Sequence, residues 1–319
     1  MADIFLHHFP MSPFSEKIRL ILGYKKLAWK SVIVPNIMPK PDVVALTGGY
    51  RKTPFLQIGS HIYCDTALIC DVLEHLQPAP ALYPPTHKGL ARIFAQWADE
   101  KLFWTAMAFS LSPKGVAQLF GGGPTEQWGP AAKALHEDRA KMRLGAPRMP
   151  PPDAAAAYHS YLRRLSNMLE YQPFLLGNAP CIADFAAYHP LWFTRTQTSV
   201  MAGILDAAPA VLSWMDRMAA IGHGAMTASN ATTSIAVCKA SAGATGILDS
   251  IPFQDEHGIP LGSQVTIAAE SFGPETTQGE LIAATRMHYT LRRTDERAGT
   301  VHVHFPRIGF VLKKAEASA

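Results

Sequence analysis

A serine and a proline separate a strand-like run from a helix-like one near the start of the chain, and that junction limits the fold most. Ile4-Phe5-Leu6 is a short apolar run bounded by a turn, which reads as a buried strand. Pro13 suits the first turn of a helix, where its missing N–H costs nothing. Behind it, Phe14, Ile18, Ile21 and Leu22 recur at helical spacing, leaving Lys17, Arg19, Lys25 and Lys26 to face water. The strand thus delivers the Ser12 hydroxyl to a helix N-terminus, where unpaired N–H groups and the helix dipole favour an anion. Ser12 serves there either as a simple cap, for which serine is favoured, or as a donor to a bound thiolate. Ser15, one turn further in, is the alternative donor.

Residues 1–76 continue as strand, helix, strand, irregular connection, strand, strand, helix. Trp29–Val34 is the second strand, and Asp42–Leu46 is a short helix among Pro39, Pro41, Gly48 and Gly49. Thr53–Ile58 and His61–Cys64 form a hairpin about Gly59-Ser60. Asp65-Thr66 then opens a helix with Leu68, Ile69, Val72, Leu73 and Leu76 on its apolar side. This order specifies a mixed four-stranded sheet with helices. Pro78, Pro80, Pro84 and Pro85 make a linker, after which the pattern is helical to about Gly222. The long amphipathic stripe from Leu90 to Met107 is broken at Gly121-Gly122-Gly123-Pro124. Residues 127–143 are helical, and Pro147–Pro152 is a second break. Helices over Tyr158–Leu169, Cys181–Tyr188 and Val211–Ile221 follow. From about Ser234 short alternating runs appear, at 264–268, 279–283, 288–291 and 300–305, separated by turns. They indicate a small all-β barrel or sandwich, with His302 and His304 sharing an exposed strand face. The expected division is therefore 1–80 (α/β), 87–226 (all-α) and 234–319 (all-β).

Composition removes several classes of function. A net charge of +4 over 319 residues, with basic residues in isolated pairs, gives no nucleic-acid stripe. No apolar run approaches the roughly 20 residues of a membrane span, and no secretory leader is evident. Four scattered cysteines suit reduced thiols in the cytoplasm, and none has zinc-site spacing with a histidine, so no metal is expected.

Four features of residues 1–76 define one ligand. Ser12 lies at a helix start. Lys52-Thr53-Pro54 contains an X–Pro bond, which takes the cis form at modest cost; a cis bond turns the Thr53 backbone outward as an edge for an extended peptide. Asp65-Thr66 pairs a carboxylate with helix N–H groups, suited to the ammonium and carboxylate of an amino-acid zwitterion. Lys52, or less directly Lys40 or Arg51, can meet a second carboxylate. A thiol peptide with a zwitterion at one end and a carboxylate at the other is glutathione.

Ser12-Pro13-Phe14-Ser15-Glu16-Lys17-Ile18-Arg19 is similar to the Cys/Ser-Pro-Phe/Tyr-x-x-Arg/Lys-Val-Arg pattern of omega, tau and zeta-like glutathione transferases. Lys52-Thr53-Pro54 resembles their Lys-Val/Ile-Pro segment, and Asp65-Thr66 their Glu/Asp-Ser/Thr pair. Phe174-Leu175-Leu176-Gly177 with Cys181-Ile182-Ala183-Asp184 resembles the segment that opens a buried helix, although Cys181 replaces the usual Ser/Thr cap. The resemblance covers roughly the first two-thirds of the chain. It implies a thioredoxin-like domain followed by a helical domain, with Ser12 as the activating residue and glutathione held by Phe14, Lys52, Thr53, Pro54, Asp65 and Thr66. It further implies a homodimer and a small apolar electrophile as second substrate. A non-catalytic glutathione-binding scaffold that docks a partner on the β-domain, or a glutathione-dependent isomerase or lyase, is the alternative. Residues 235–319 have no counterpart in ordinary family members.

Overall fold

The computed structural model describes residues 2–121, 127–143, 148–243, 246–248, 252–253 and 256–315. Gly122, Gly123, Pro124 and Pro147 of the expected helix breaks lie outside them. The first unit runs β1 (Ile4–His8), α1 (Pro13–Tyr24), β2 (Trp29–Ile33), α2 (Pro41–Thr47), β3 (Phe55–Ile58), β4 (His61–Cys64) and α3 (Thr66–Leu76). Strand β1 lies between parallel β2 and antiparallel β3, and β4 pairs antiparallel with β3. This is the mixed α/β sheet expected from the sequence. It forms because β1 is buried along its whole length, so both of its edges must be hydrogen-bonded within the sheet.

The helical unit follows as α4 (Lys88–Trp97), α5 (Phe103–Ser110), α6 (Pro113–Phe120), α7 (Pro130–Arg143), α8 (Pro151–Met168), α9 (Ile182–Trp192) and α10 (Pro209–Ala219). A π-type turn, Ala98–Leu102, joins α4 to α5 without a break. That continuous rod stops before Gly121, because Ser112-Pro113 starts a new helix and Gly121 then ends it with φ +93°. Among the described residues no helix is long and apolar enough to cross a membrane.

Beyond residue 225 the structure departs from expectation. A short strand, β5 (Met226–Ser229), pairs parallel with β2, and α11 (Ala231–Ala240) follows where β-structure was expected to begin. Strands β6 (Gln264–Ala269), β7 (Thr277–Ala284), β8 (His288–Asp295), β9 (Gly299–Pro306) and β10 (Phe310–Lys314) are all-β as anticipated. They form neither a barrel nor a sandwich. Strand β9 lies parallel to β4, producing one ten-stranded sheet in the order β10-β6-β7-β8-β9-β4-β3-β1-β2-β5. The reason is the β4 edge: all residues of β4 are buried, and the added sheet covers a row of N–H and C=O groups that would otherwise invite aggregation.

The anticipated exposed histidine face is likewise largely enclosed, with His304 buried and His302 half-buried. His304 is fully enclosed, bonding His61 Nδ1 at 2.9 Å and Thr290 Oγ1 at 2.9 Å, with the His302 ring stacked on His61 at 4.7 Å. Lys17, Arg19 and Lys25 do not face water either; all three are buried, and only Lys26 is exposed. Helix α1 is enclosed on both sides, so each cation is paired, Lys17 with Asp99, Arg19 with Glu16 and Lys25 with Glu74.

Gly23, near the end of α1, lets residues 222–224 cross against the helix. A Cβ there would meet the Gly222 carbonyl oxygen at 2.1 Å. The crossing places Ala225 to accept from Trp29 N–H at 3.0 Å and so to start β5. Gly23→Ala should therefore lower stability by about 2 kcal/mol through overpacking against rigid backbone. A urea-denaturation midpoint within error of wild type would contradict this reading of the crossing.

Candidate functional site

Strand β1 hands the chain through Phe9–Met11 to Ser12, which sits at the N-cap of α1 with extended backbone. Its Oγ accepts from Ser15 N–H at 3.2 Å, so the capping role is present, and the hydroxyl proton remains to be donated elsewhere. The Ser15 hydroxyl is fully buried with no partner among the described residues. The turn before Ser12 is braced from below. Arg19 donates to the Pro10 carbonyl at 3.0 Å, contacts His8 Nδ1 at 3.1 Å and pairs with Glu16 at 2.7 Å. His7 and His8 are buried core residues bonded to Gln57 and Ser31.

A second helix N-terminus adjoins the first. Lys17 on α1 donates to Thr66 Oγ1 on α3 at 3.2 Å and to Asp99 at 2.5 Å, and Asp99 bonds His189 Nε2 at 2.9 Å. Burial opposes the charge on Lys17, yet Asp99, together with Cys70 and Asp65, outweighs it and holds the pKa above its ordinary value. Burial likewise disfavours ionised Asp99, but Lys17 and His189 keep its carboxyl below the usual range. The Phe14 ring packs at 4.5 Å on His189 and at 4.6 Å on Phe103. Phe14 is therefore a half-buried wall residue clamped between α5 and α9.

Asp65 caps α3 through an Oδ1 bond to Ala67 N–H at 2.9 Å. Its backbone has φ +74°, a region that non-glycine residues rarely adopt and that costs of order 1–3 kcal/mol. The conformation is fixed because Asp65 N–H donates to the buried Tyr50 hydroxyl at 3.2 Å. Thr53–Pro54 is cis, as expected, and the Thr53 N–H and C=O have no backbone partner among the described residues.

Of the three basic candidates, two are engaged elsewhere. Arg51 is held by Asp138 and by Glu275, the latter at 2.8 Å, and Lys40 donates to the Arg51 carbonyl at 3.3 Å. Burial and the neighbouring Arg139 and Arg51 charges push the Lys40 pKa down to about 8. The Lys52 ammonium lies over the rings of Tyr50, at 5.5 Å, and Phe310, at 5.0 Å. Desolvation lowers its pKa, with Asp65 acting the other way. Lys52 is thus the candidate whose ammonium is not already engaged in a hydrogen bond or ion pair among the described residues.

Sequence reasoning missed Tyr50, Asp99 and His189, which position Asp65, Lys17 and Phe14 respectively. It also missed Phe310, since no local pattern announces that β10 returns to the Lys52 side chain. Among the described residues no group of three or more His, Cys, Asp or Glu is arranged to hold a metal ion.

Comparison with known proteins bears on the fold and family. Residues 6–81 match the glutathione S-transferase N-terminal domain family and residues 90–217 the C-terminal domain family. A glutathione S-transferase-like protein from Pseudomonas syringae, of known crystal structure, is 38% identical and covers 99% of this chain and 100% of its own, with a TM-score of 0.79. The likeness therefore includes the added sheet. FtsZ-localized protein A of Caulobacter vibrioides is 27% identical over 188 residues, which is 57% of this chain and 73% of that protein. The solved structure of FzlA from C. crescentus is 25% identical over 68% of this chain and 87% of its own, with a TM-score of 0.50.

Proposed function

We propose, from the premise that this chain belongs to the glutathione S-transferase superfamily, that it binds glutathione where α1 and α3 begin and activates its thiol at Ser12. The observation that carries this reading is the Lys17–Thr66 bond of 3.2 Å, which fastens the two helix N-termini side by side. One end then offers a hydroxyl and a dipole to sulfur, and the other a carboxylate and N–H groups to the γ-glutamyl zwitterion. The cis edge at Thr53–Pro54 pairs with the peptide middle, Lys52 meets the glycyl carboxylate, and Phe14 backs the sulfur. A free thiol has a pKa near 8.5, so at neutral pH most of it is protonated. Donation from Ser12 to the anion favours loss of the thiol proton to solvent, and the thiolate lone pair forms the new S–C bond. The electrophile's leaving group departs with its bonding pair.

Ser12→Ala is expected to raise the pKa of bound glutathione toward the free value. Turnover with an activated aryl halide should fall roughly 100-fold, the usual cost of removing one anion-stabilising donor. Ultraviolet absorbance of the bound thiolate, followed against pH, checks the first effect directly. Unshifted ionisation of bound glutathione in the wild type would sink the catalytic reading.

That outcome favours the second reading, a glutathione-binding scaffold whose added sheet docks a partner. Two observations support it: the Ser12 Oγ already caps α1, and one relative carries the name FtsZ-localized protein A. We place the protein in the cytoplasm as a homodimer, in keeping with its family and its four buried, unpaired cysteines.

A further inference from the structure

The added sheet reaches back to the site it follows in sequence. Starting at Ser12, neighbouring Phe14 lies 4.6 Å from Phe103, whose ring is 4.9 Å from Trp104. Trp104 is 40% exposed on α5, and its ring meets Phe272 edge to face at 5.3 Å. Phe272 belongs to the β6–β7 loop, and the next residue, Gly273, donates its N–H to the Met142 carbonyl at 2.9 Å. Gly273, at φ +68°, packs so closely on Lys52 that a Cβ would stand 3.1 Å from Lys52 Cγ. From Lys52 the chain leads through Thr53 and Pro54 to β3. A continuous circuit of contacts thus joins the sulfur end of the site to its carboxylate end by way of residues 272 and 273. Those residues lie well beyond 217, where the family match ends.

We infer that the β6–β7 loop completes the wall of the second-substrate site, with Phe272 and Trp104 selecting an aromatic group on the electrophile. The inference rests on the glutathione reading above. An edge-to-face ring pair at the surface gives a planar aromatic ligand a third ring to pack with, an arrangement aromatic groups favour. Arg143, whose guanidinium stands 6.0 Å from the Trp104 ring, steadies that ring from the α7 side. Phe272 is thereby a specificity-determining residue supplied by the added sheet.

Calorimetric titration of the full-length protein with glutathione and with S-benzylglutathione tests the assignment. Wild type should bind the benzyl conjugate at least about tenfold more tightly, as expected when an apolar group fills a fitted pocket. Phe272→Ala should remove most of that preference while changing the glutathione Kd less than about twofold, and Phe272→Leu, which keeps bulk but not the ring, should remove part of it. An unchanged preference in both variants, or equal weakening of both ligands, overturns the inference while the glutathione reading stands. Binding of neither ligand to wild type overturns both.

Discussion

Replacing Asp184 by alanine is expected to cost the fold about 3–5 kcal/mol, the range for leaving several buried donors without an acceptor. Asp184 is fully buried at the start of α9. Its Oδ1 accepts from Leu175 N–H at 2.8 Å and from Trp214 Nε1–H at 2.9 Å, and its Oδ2 from Cys181 N–H at 3.0 Å. Those bonds tie the loop before α9, the N-terminus of α9 and the middle of α10 to one carboxylate. Burial still holds its pKa above the ordinary value, with the hydrogen bonds acting against that shift. Alanine removes the acceptor and leaves three buried N–H donors, and the Cys181 thiol that approaches Oδ2 at 3.4 Å, without their partner. Trp214→Phe in the same background removes one of those orphans, so the double variant should be less destabilised than the sum of the two single ones. Guanidinium unfolding of the four proteins reads both effects. A loss below about 1 kcal/mol for Asp184→Ala, or strict additivity, would contradict the account.

Asp184 was legible in the sequence through its one local bond: it stands three residues after the cap position, where a carboxylate reaches back to the backbone, whereas its bonds to Leu175 and Trp214 were not. The same holds for Ser12 before Pro13 and for Asp65 before Thr66, each a short-range signal at a helix start. What stayed hidden depends on distant partners. Lys17 reads as a solvated helix charge until Asp99, 82 residues away, is brought beside it. The β4–β9 pairing joins His61 to His302, and nothing local in either strand specifies a parallel neighbour so remote. Helix α11 was missed for a different reason. Ala231–Ala240 is rich in β-branched residues and has no clear apolar stripe, yet Asn230 caps it by accepting from Thr233 N–H at 2.9 Å. The cap was a readable signal outweighed by composition. The positive φ of Asp65 follows from Tyr50, which belongs to a connection that sequence rules treat as irregular.

Acid should unfold the protein over an unusually narrow range beginning near neutral pH. His7, His8 and His304 are buried and neutral. Desolvation lowers His7 from 6.5 to about 4, and lowers His8, with help from the Arg19 charge, to about 3; desolvation also pushes His304 well down, with His61, His288 and His302 adding to it. In the unfolded chain each regains a pKa near 6.5. Below that value the unfolded state takes up protons that the native state refuses, so stability falls as pH drops and keeps falling until the folded pKa is reached. Each histidine contributes a slope of about 1.4 kcal/mol per pH unit, and three together about 4. Glu16 and Asp99, whose folded pKa values lie below the ordinary carboxylate range, act in the same direction at lower pH, whereas Asp184 opposes them. A drop from pH 6.5 to 5 then removes up to about 5 kcal/mol, comparable with the whole stability of an ordinary domain. Urea midpoints between pH 7.5 and 5 measure the slope, and His7→Gln should flatten it by about one proton. Equal stability at the two ends of that range would mean that these imidazoles take up protons in the native state, and that the buried histidine network opens without cost.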